Sequence, residues 1–263
     1  MISIREYVKA ESLEQAYELN QKANNVIIGG MHWLKMSKQS FGTAIDMSGL
    51  GLDQIVETDD SFEIGCMATL RNIELHEGLN VFARGAIRDA VKDIVGVQFR
   101  NTATVGGSIY GRYGFSDVLA VFMAMDTKVV CYKAGELSIC DYAELKPDRD
   151  IVVKLIVRKT PTKVAYQAVR RQKTDFPVLA VCVSEIDGKW SAVISARPGR
   201  AVKVADEKGI LADGITEESA KAFGEYAAEQ VGYSSNIRGS AEYRKTIAPV
   251  LIRRALMSLG KEA

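Results

Sequence analysis

Histidine is nearly missing from this chain: only His32 and His76 occur in 263 residues. A zinc or non-haem iron centre built on imidazoles would need unusual ligands, so no metal site is expected. The four cysteines, Cys66, Cys131, Cys140 and Cys182, are widely spread with no C-x-x-C pair and read as buried thiols. No apolar run approaches the ~20 residues of a membrane span, and the charged start MISIREYVKAESLEQ holds no apolar leader. A cytoplasmic protein without membrane contact is predicted. Charge of one sign is absent too: 34 Lys and Arg against 33 Asp and Glu leave a net charge of +1, which gives no bias toward nucleic acid. Neither a Walker loop nor a G-x-G-x-x-G fingerprint occurs. Gly49-Leu50-Gly51 comes nearest, and Gln54 stands where the third glycine belongs, which argues against a nicotinamide-type Rossmann fold. No paired acids, nucleophile triad or other catalytic constellation stands out.

What the chain has is a large apolar fraction, 47% of residues, enough for two or three small lobes. The first, 1–53, begins with a strand from Ile2 to Tyr7. A helix follows, opened by the Ser12/Gln15 capping pattern, then a buried strand Val26-Ile27-Ile28 that breaks at Gly29-Gly30, and a further strand from Thr43 to Met47. The second, 54–158, opens on a hairpin across Asp59-Asp60. Thr69 caps a short helix; Ile87, Ala90, Val91, Ile94 and Val95 at helical spacing predict another helix stopping at Gly96. Ser116 caps a third helix, and strands at Lys128–Tyr132 and Ile151–Val157 close the unit. The third, 159–263, reads as antiparallel strands at Val164–Arg170, Val178–Glu185 and Lys189–Ala196. Two helices follow from Thr216 and Ser240, the second kinked or split by Pro249.

The stretch from Phe99 to Asp117, FRNTATVGGSIYGRYGFSD, gathers Gly106, Gly107, Gly111 and Gly114 among hydroxyl groups. Successive N–H groups without a Cβ in the way make a hollow for phosphate, and Thr104 and Ser108 add hydroxyl donors. Asp117 is placed to take a hydroxyl or ring N–H from the same ligand. A plain glycine-rich turn between regular elements accounts for the pattern equally well. Gly29-Gly30, at the end of a strand, carries the same two readings: an anion site or a site of close packing.

Taken together, the early Ile-Ile-Gly-Gly and the central Arg-Asn-Thr-Ala-Thr-Val-Gly-Gly-Ser-Ile resemble the FAD-binding subunits of molybdenum hydroxylases, the family that includes the flavin subunits or domains of xanthine dehydrogenase and carbon monoxide dehydrogenase. Ile237-Arg238-Gly239-Ser240-Ala241-Glu242-Tyr243-Arg244 extends the likeness into the tail. The resemblance implies an α+β chain: the two-lobed FAD fold of the vanillyl-alcohol oxidase and cell-wall reductase type, with an added C-terminal lobe of antiparallel sheet and helices. It implies a first pyrophosphate loop of Val26, Ile27, Ile28, Gly29, Gly30, Met31, His32, Trp33 and Leu34. Thr104, Val105, Gly106, Gly107 and Ser108 would form the second. Asp117 would sit on the adenosine side, with Ile94 and Val153 lining the ring. Asp175 matches a family acid, although a surface ion pair with a neighbouring base explains it as well.

Two departures from the family pattern stand out. His32 and Trp33 follow the first glycines where small polar residues and an acid are usual, and FAD is expected to be held non-covalently. Arg112 and Tyr113 replace small apolar residues, with Arg112 either pairing with a diphosphate or facing solvent. By the same resemblance the chain would be an electron-transfer subunit. Molybdopterin would lie in a large partner subunit and 2Fe-2S clusters in a small one, with NAD or another acceptor taking electrons from the flavin. A stand-alone flavoprotein oxidase or reductase of the same fold, or a scaffold that has lost flavin, are the alternatives.

Overall fold

The computed structural model describes residues 2–260. The first unit is a parallel sheet in the order β1-β3-β2, made of β1 (Ser3–Lys9), β2 (Val26–Ile28) and β3 (Ser40–Asp46). Parallel strands cannot be joined by a tight hairpin, and α1 (Leu13–Asn20) carries the chain from β1 to β2 on the far side of β3, with the Ser12 side chain accepting the Gln15 N–H at its start. β2 pairs with β3 from Val26 opposite Ala44 to Ile28 opposite Asp46, so the first glycine turn leaves the sheet where the pairing ends.

The second unit interrupts its sheet with helices. After β4 (Ile55–Glu57) and β5 (Ser61–Gly65) come α2 (Leu70–Leu75), α3 (Glu77–Phe82), α4 (Ala86–Val91), α5 (Val97–Arg100), α6 (Val105–Tyr110) and α7 (Asp117–Met123). β6 (Thr127–Cys131), β7 (Gly135–Ser138), α8 (Ile139–Glu144) and β8 (Val152–Arg158) complete an antiparallel sheet ordered β4-β5-β8-β6-β7. α7 is buried along its whole length, from Asp117 to Met123.

The third unit is an antiparallel sheet ordered β12-β11-β10-β9, from β9 (Thr162–Arg170), β10 (Pro177–Ile186), β11 (Lys189–Ser195) and β12 (Val202–Ala205), followed by α9 (Glu217–Glu229) and α10 (Ala241–Gly260). Successive side chains of a strand point to opposite faces, and β10 uses both. Leu179, Val181 and Val183 join Phe223, Leu251 and Leu256 in a core under the helices. Ala180 and Cys182 belong instead to the core shared with the first two units. The third sheet is therefore walled on one side by its own helices and on the other by the second unit.

The observed elements depart from the sequence pattern at several places. The helix expected to reach Gly96 stops at Val91, because the Ile94 N–H turns back onto the Val91 carbonyl and the Ile94 carbonyl is taken by Arg100. Val95 then sits in the left-handed region at φ 50°. Pro249 does not split the last helix, which continues through it from Ala241 to Gly260. The carbonyl that its missing N–H would have engaged belongs to Lys245, an exposed residue. Where α9 passes, a Cβ on Gly224 would lie 2.7 Å from the Pro249 oxygen, so a glycine makes the close packing feasible. Finally, β7 and β12 are short strands at sheet edges that the pattern does not announce.

Candidate cofactor site

The two glycine segments meet. A Cβ on Gly29 would lie 2.8 Å from Thr104 Oγ1, and one on Gly30 would lie 2.2 Å from the Thr102 carbonyl oxygen. Neither glycine has a positive φ, so what demands glycine here is the approach of one chain segment to the other. Met31 follows at φ 58°, a left-handed conformation that is costly for a side chain and brings successive N–H groups onto one side of the backbone. The N–H groups of Gly30 and Met31 have no hydrogen-bond partner among the described residues. Leu34 then opens a short 3-10 turn, Leu34–Met36.

The second segment is not the open hollow that its glycines imply. Thr104 caps α6 by accepting the Gly107 N–H at 3.2 Å, while the N–H groups of Val105 and Gly106 bond the carbonyls of Ala68 and Cys66, both at 2.8 Å. Ser108 closes onto the Thr104 carbonyl through both its N–H and its hydroxyl. The row of free amides expected at Thr104 to Ser108 is thus used inside the protein. Gly106 serves packing, since a Cβ there would lie 2.6 Å from Cys66. Gly107 is different: it is exposed, and its Cβ would meet only Thr104 Oγ1, at 3.0 Å.

Between the segments lies a cavity of about 170 Å³. Of the residues predicted from sequence, Val26, Ile27, Ile28 and Gly29 line one side and Thr104, Gly106 and Gly107 the other. Gly30, Met31, His32, Trp33, Leu34, Ile94, Val105, Ser108, Asp117 and Val153 do not line it. Val105 is wholly buried beneath α6. Sequence reasoning missed Asn20, Asn25, Met47, Cys66, Met67, Tyr110 and the run from Arg149 to Val152. For Val152 the signal was present, because it neighbours the chosen Val153 and adjacent strand residues face opposite ways. Burial pushes the Cys66 thiol up to about 12, so it lines the cavity as a neutral, unreactive group.

His32 turns away from the cavity and toward the second unit. Its Nε2 lies 2.8 Å from Thr102 Oγ1, and its ring stacks on Phe99 with centroids 3.7 Å apart. Burial, and then the Lys35 charge, lower its pKa below the ordinary imidazole value. Trp33 joins an aromatic cluster with Tyr113 at 5.6 Å and Phe176 at 5.8 Å, so all three units touch there.

Asp117 is engaged within the protein. It is 5% exposed, its Oδ1 accepts the Tyr166 hydroxyl, and its Oδ2 lies 3.0 Å from Arg170 Nη2. Both carboxylate oxygens therefore already have protein partners. Arg112 does not face solvent: it is buried over the Tyr142 ring at 4.0 Å, donating to the Tyr142 and Tyr110 carbonyls through Nε and Nη1, while its Nη2 has no partner among the described residues. Asp175 makes its ion pair with Arg238, at 3.4 Å, while its backbone carbonyl accepts from Arg170. A second cavity, of about 360 Å³, opens beside Tyr166, Arg170 and Arg171 and is lined by none of the predicted site residues. No cluster of His, Cys, Asp or Glu suited to a metal ion occurs among the described residues, and no helix there is long and apolar enough to cross a membrane.

Residues 2–159 match the family described as the FAD binding domain in molybdopterin dehydrogenase. The chain belongs to that family. Its relatives include the medium subunit of nicotine 6-hydroxylase from Paenarthrobacter nicotinovorans, 25% identical over 97% of this chain and 96% of that protein. The medium chain of glyceraldehyde dehydrogenase from Sulfolobus acidocaldarius is 24% identical, over 97% of this chain and 98% of that one. Among solved structures, carbon monoxide dehydrogenase from Hydrogenophaga pseudoflava superposes with a TM-score of 0.86 at 21% identity, covering 98% of each chain. Quinoline 2-oxidoreductase from Pseudomonas putida 86 gives 0.82 at 17%, covering 100% of this chain and 98% of that one. These two share the α+β fold. FAD is the cofactor of this FAD-binding family, and the site suits a diphosphate-bearing group. At the cavity the Thr104 hydroxyl keeps a proton to donate and Gly107 puts no side chain in the way, and beyond its lining, where the chain continues past Gly29, the N–H groups of Gly30 and Met31 are unbonded among the described residues.

Proposed function

We propose that this chain holds FAD non-covalently and acts as the electron-transfer subunit of a multi-subunit molybdenum hydroxylase. The observation that carries the reading is the meeting of Gly29 and Thr104 across a cavity lined by both glycine segments. In this reading the N–H groups of Gly30 and Met31 and the Thr104 hydroxyl bind the diphosphate, and Gly107 leaves room for it. Pockets for drug-sized ligands span roughly 300–1,000 Å³, so the cavity takes only part of the dinucleotide. Bound FAD supplies the redox chemistry, passing electrons from iron–sulfur clusters to an acceptor. The chain's own residues contribute binding and orientation.

Molybdopterin and the 2Fe-2S clusters belong to partner subunits in this proposal, as the "medium" rank in the names of its relatives supports. NAD or another acceptor is proposed to take the electrons, the assembly is proposed to be cytoplasmic, and the lobes are proposed to divide at 53/54 and 158/159. The test is purification from the native host with a visible spectrum and identification of what travels with the chain. The reading expects a yellow protein, flavin released intact on denaturation, a molybdopterin subunit and an iron–sulfur subunit in the same peak, and reoxidation of the reduced flavin by NAD or another acceptor. A folded, colourless chain that refuses added FAD would sink it. Turnover of an organic substrate by the isolated chain would replace it with a self-contained flavoenzyme.

A further inference from the structure

Arg149 lies between α8 and β8, in the second unit, yet its side chain is spent on the first. Its guanidinium donates to the backbone carbonyls of Asn20, of Lys22 at 2.5 Å and of Asn25 at 2.7 Å. In return its own carbonyl accepts from the side chains of Asn20 at 2.8 Å and Gln21 at 3.1 Å. Those carbonyls belong to the end of α1 and the turn that leads into β2, so the arginine grips the chain next to Val26. No acidic side chain takes part. A planar fork suits this task, because it reaches several carbonyls at once where an ammonium is a single point.

The segment that carries Arg149 is itself held. The Tyr110 hydroxyl, at the end of α6, donates to the Asp148 carbonyl at 2.5 Å. The Asp150 carboxylate accepts the N–H groups of Lys133 at 3.0 Å and Ala134 at 2.8 Å. A bonded path therefore runs from α6 through Tyr110, Asp148 and Arg149 to Asn25 and β2. Tyr110, Arg149 and Asn25 of this path line the cavity, and the contact of His32 with Thr102 and Phe99 ties the same two units together beyond the glycines.

We propose that Arg149 is the positioning residue that fixes the separation of the two glycine-bearing walls and so sets how tightly the chain holds FAD. This rests on the FAD reading above. A cleft whose walls are held apart at the right distance before binding loses less free energy on closing around a ligand than one that must be ordered.

The test measures FAD affinity and release by flavin fluorescence on the full chain, with the unfolding midpoint of each flavin-free variant as a control. R149M is expected to bind about tenfold to a hundredfold more weakly, the size of one or two charge-assisted hydrogen bonds, through faster release. R149K should recover part of that loss, and R200A, which alters an exposed arginine bonded to Glu144, should match the wild type. A folded R149M with wild-type affinity overturns the proposal. So does equal weakening in R149M and R149K, which would mean a packing role only. If R149M does not fold, R149K decides: weakened binding supports the proposal and unchanged binding overturns it. Failure of the wild type itself to take up FAD appears before any variant is made, and removes the underlying reading instead.

Discussion

Asp117 and Arg170 form a buried ion pair, 3.0 Å between Oδ2 and Nη2, that joins α7 of the second unit to β9 of the third. Burial raises the Asp117 carboxyl, while the guanidinium and the Tyr166 hydroxyl pull it back down. Arg170 also reaches Tyr166 at 3.2 Å and the Asp175 carbonyl at 2.8 Å, so it sits in the middle of a polar junction. Removing one partner leaves the other charge buried without compensation, at a cost of about 3–5 kcal/mol. D117A is therefore expected to lower unfolding stability by that amount in denaturant titration. The double variant D117A/R170M should recover much of it, because no charge is then stranded. A double variant as unstable as the sum of the two single ones would show that the pair is not what joins these units.

The glycines at the cleft separate stability from binding. G30A would press a methyl against the Thr102 carbonyl oxygen, 2.2 Å away, and backbone does not yield as a side chain does. About 1–3 kcal/mol of destabilisation and loss of FAD uptake are expected together. G107A sits in the first turn of α6, where alanine favours the helix by up to about 1 kcal/mol, and its methyl meets only Thr104 Oγ1 at 3.0 Å. Its unfolding midpoint should stay near that of the wild type while FAD affinity falls about tenfold or more. Equal affinity in G107A and the wild type would remove Gly107 from the site.

How far the sequence leads can be followed along the cleft. Val26-Ile27-Ile28 ahead of Gly29-Gly30 reads as a strand breaking into a turn, and the structure has that strand and that turn. Thr104 was legible as a donor but not as a helix cap. Two glycines in a first turn weigh against a helix, and what overrides them is Gly106 packing on Cys66, a contact made across 40 positions of chain. Arg149 gave no signal, since a single arginine in a proline- and aspartate-bearing loop has no period to betray it, and its partners are backbone carbonyls that any sequence carries. Asp117 is conspicuous in the sequence, but its partners Tyr166 and Arg170 arrive from another unit, which no local pattern announces.

Arg244 is wholly buried in α10 without an acidic partner. Its guanidinium donates to the carbonyls of Val178 at 2.7 Å, Ser234 at 2.7 Å and Gly239 at 2.5 Å, and to the Asn236 side chain at 2.6 Å. It thereby holds the turn before α10 against the start of β10. A lysine cannot serve all four acceptors, and each buried acceptor left without a donor costs about 1–3 kcal/mol. R244K is expected to lose about 2 kcal/mol or more of stability by denaturant titration, and R244M more still. Wild-type stability in R244K would show that solvent reaches these carbonyls and that the arginine is dispensable.

His32 gives the cleft a pH dependence whose sign follows from its surroundings. Burial and Lys35 hold its pKa below the ordinary value, which is near 6.5 in the unfolded chain. As the pH falls through about 6.5, the unfolded chain takes up a proton that the folded one still refuses. The stabilising contribution is therefore fully present above that value and declines between it and the lower folded pKa. Because His32 packs on Phe99 and meets Thr102, the same protonation loosens the contact between the first unit and the second. Unfolding midpoints measured from about pH 8 to about pH 5 should fall more steeply for the wild type than for H32Q. In a proton NMR titration, the imidazole signal that vanishes in H32Q should titrate below the ordinary value. Titration at or above that value, or identical pH profiles for the two proteins, would mean that His32 protonates freely and plays no part in holding the cleft.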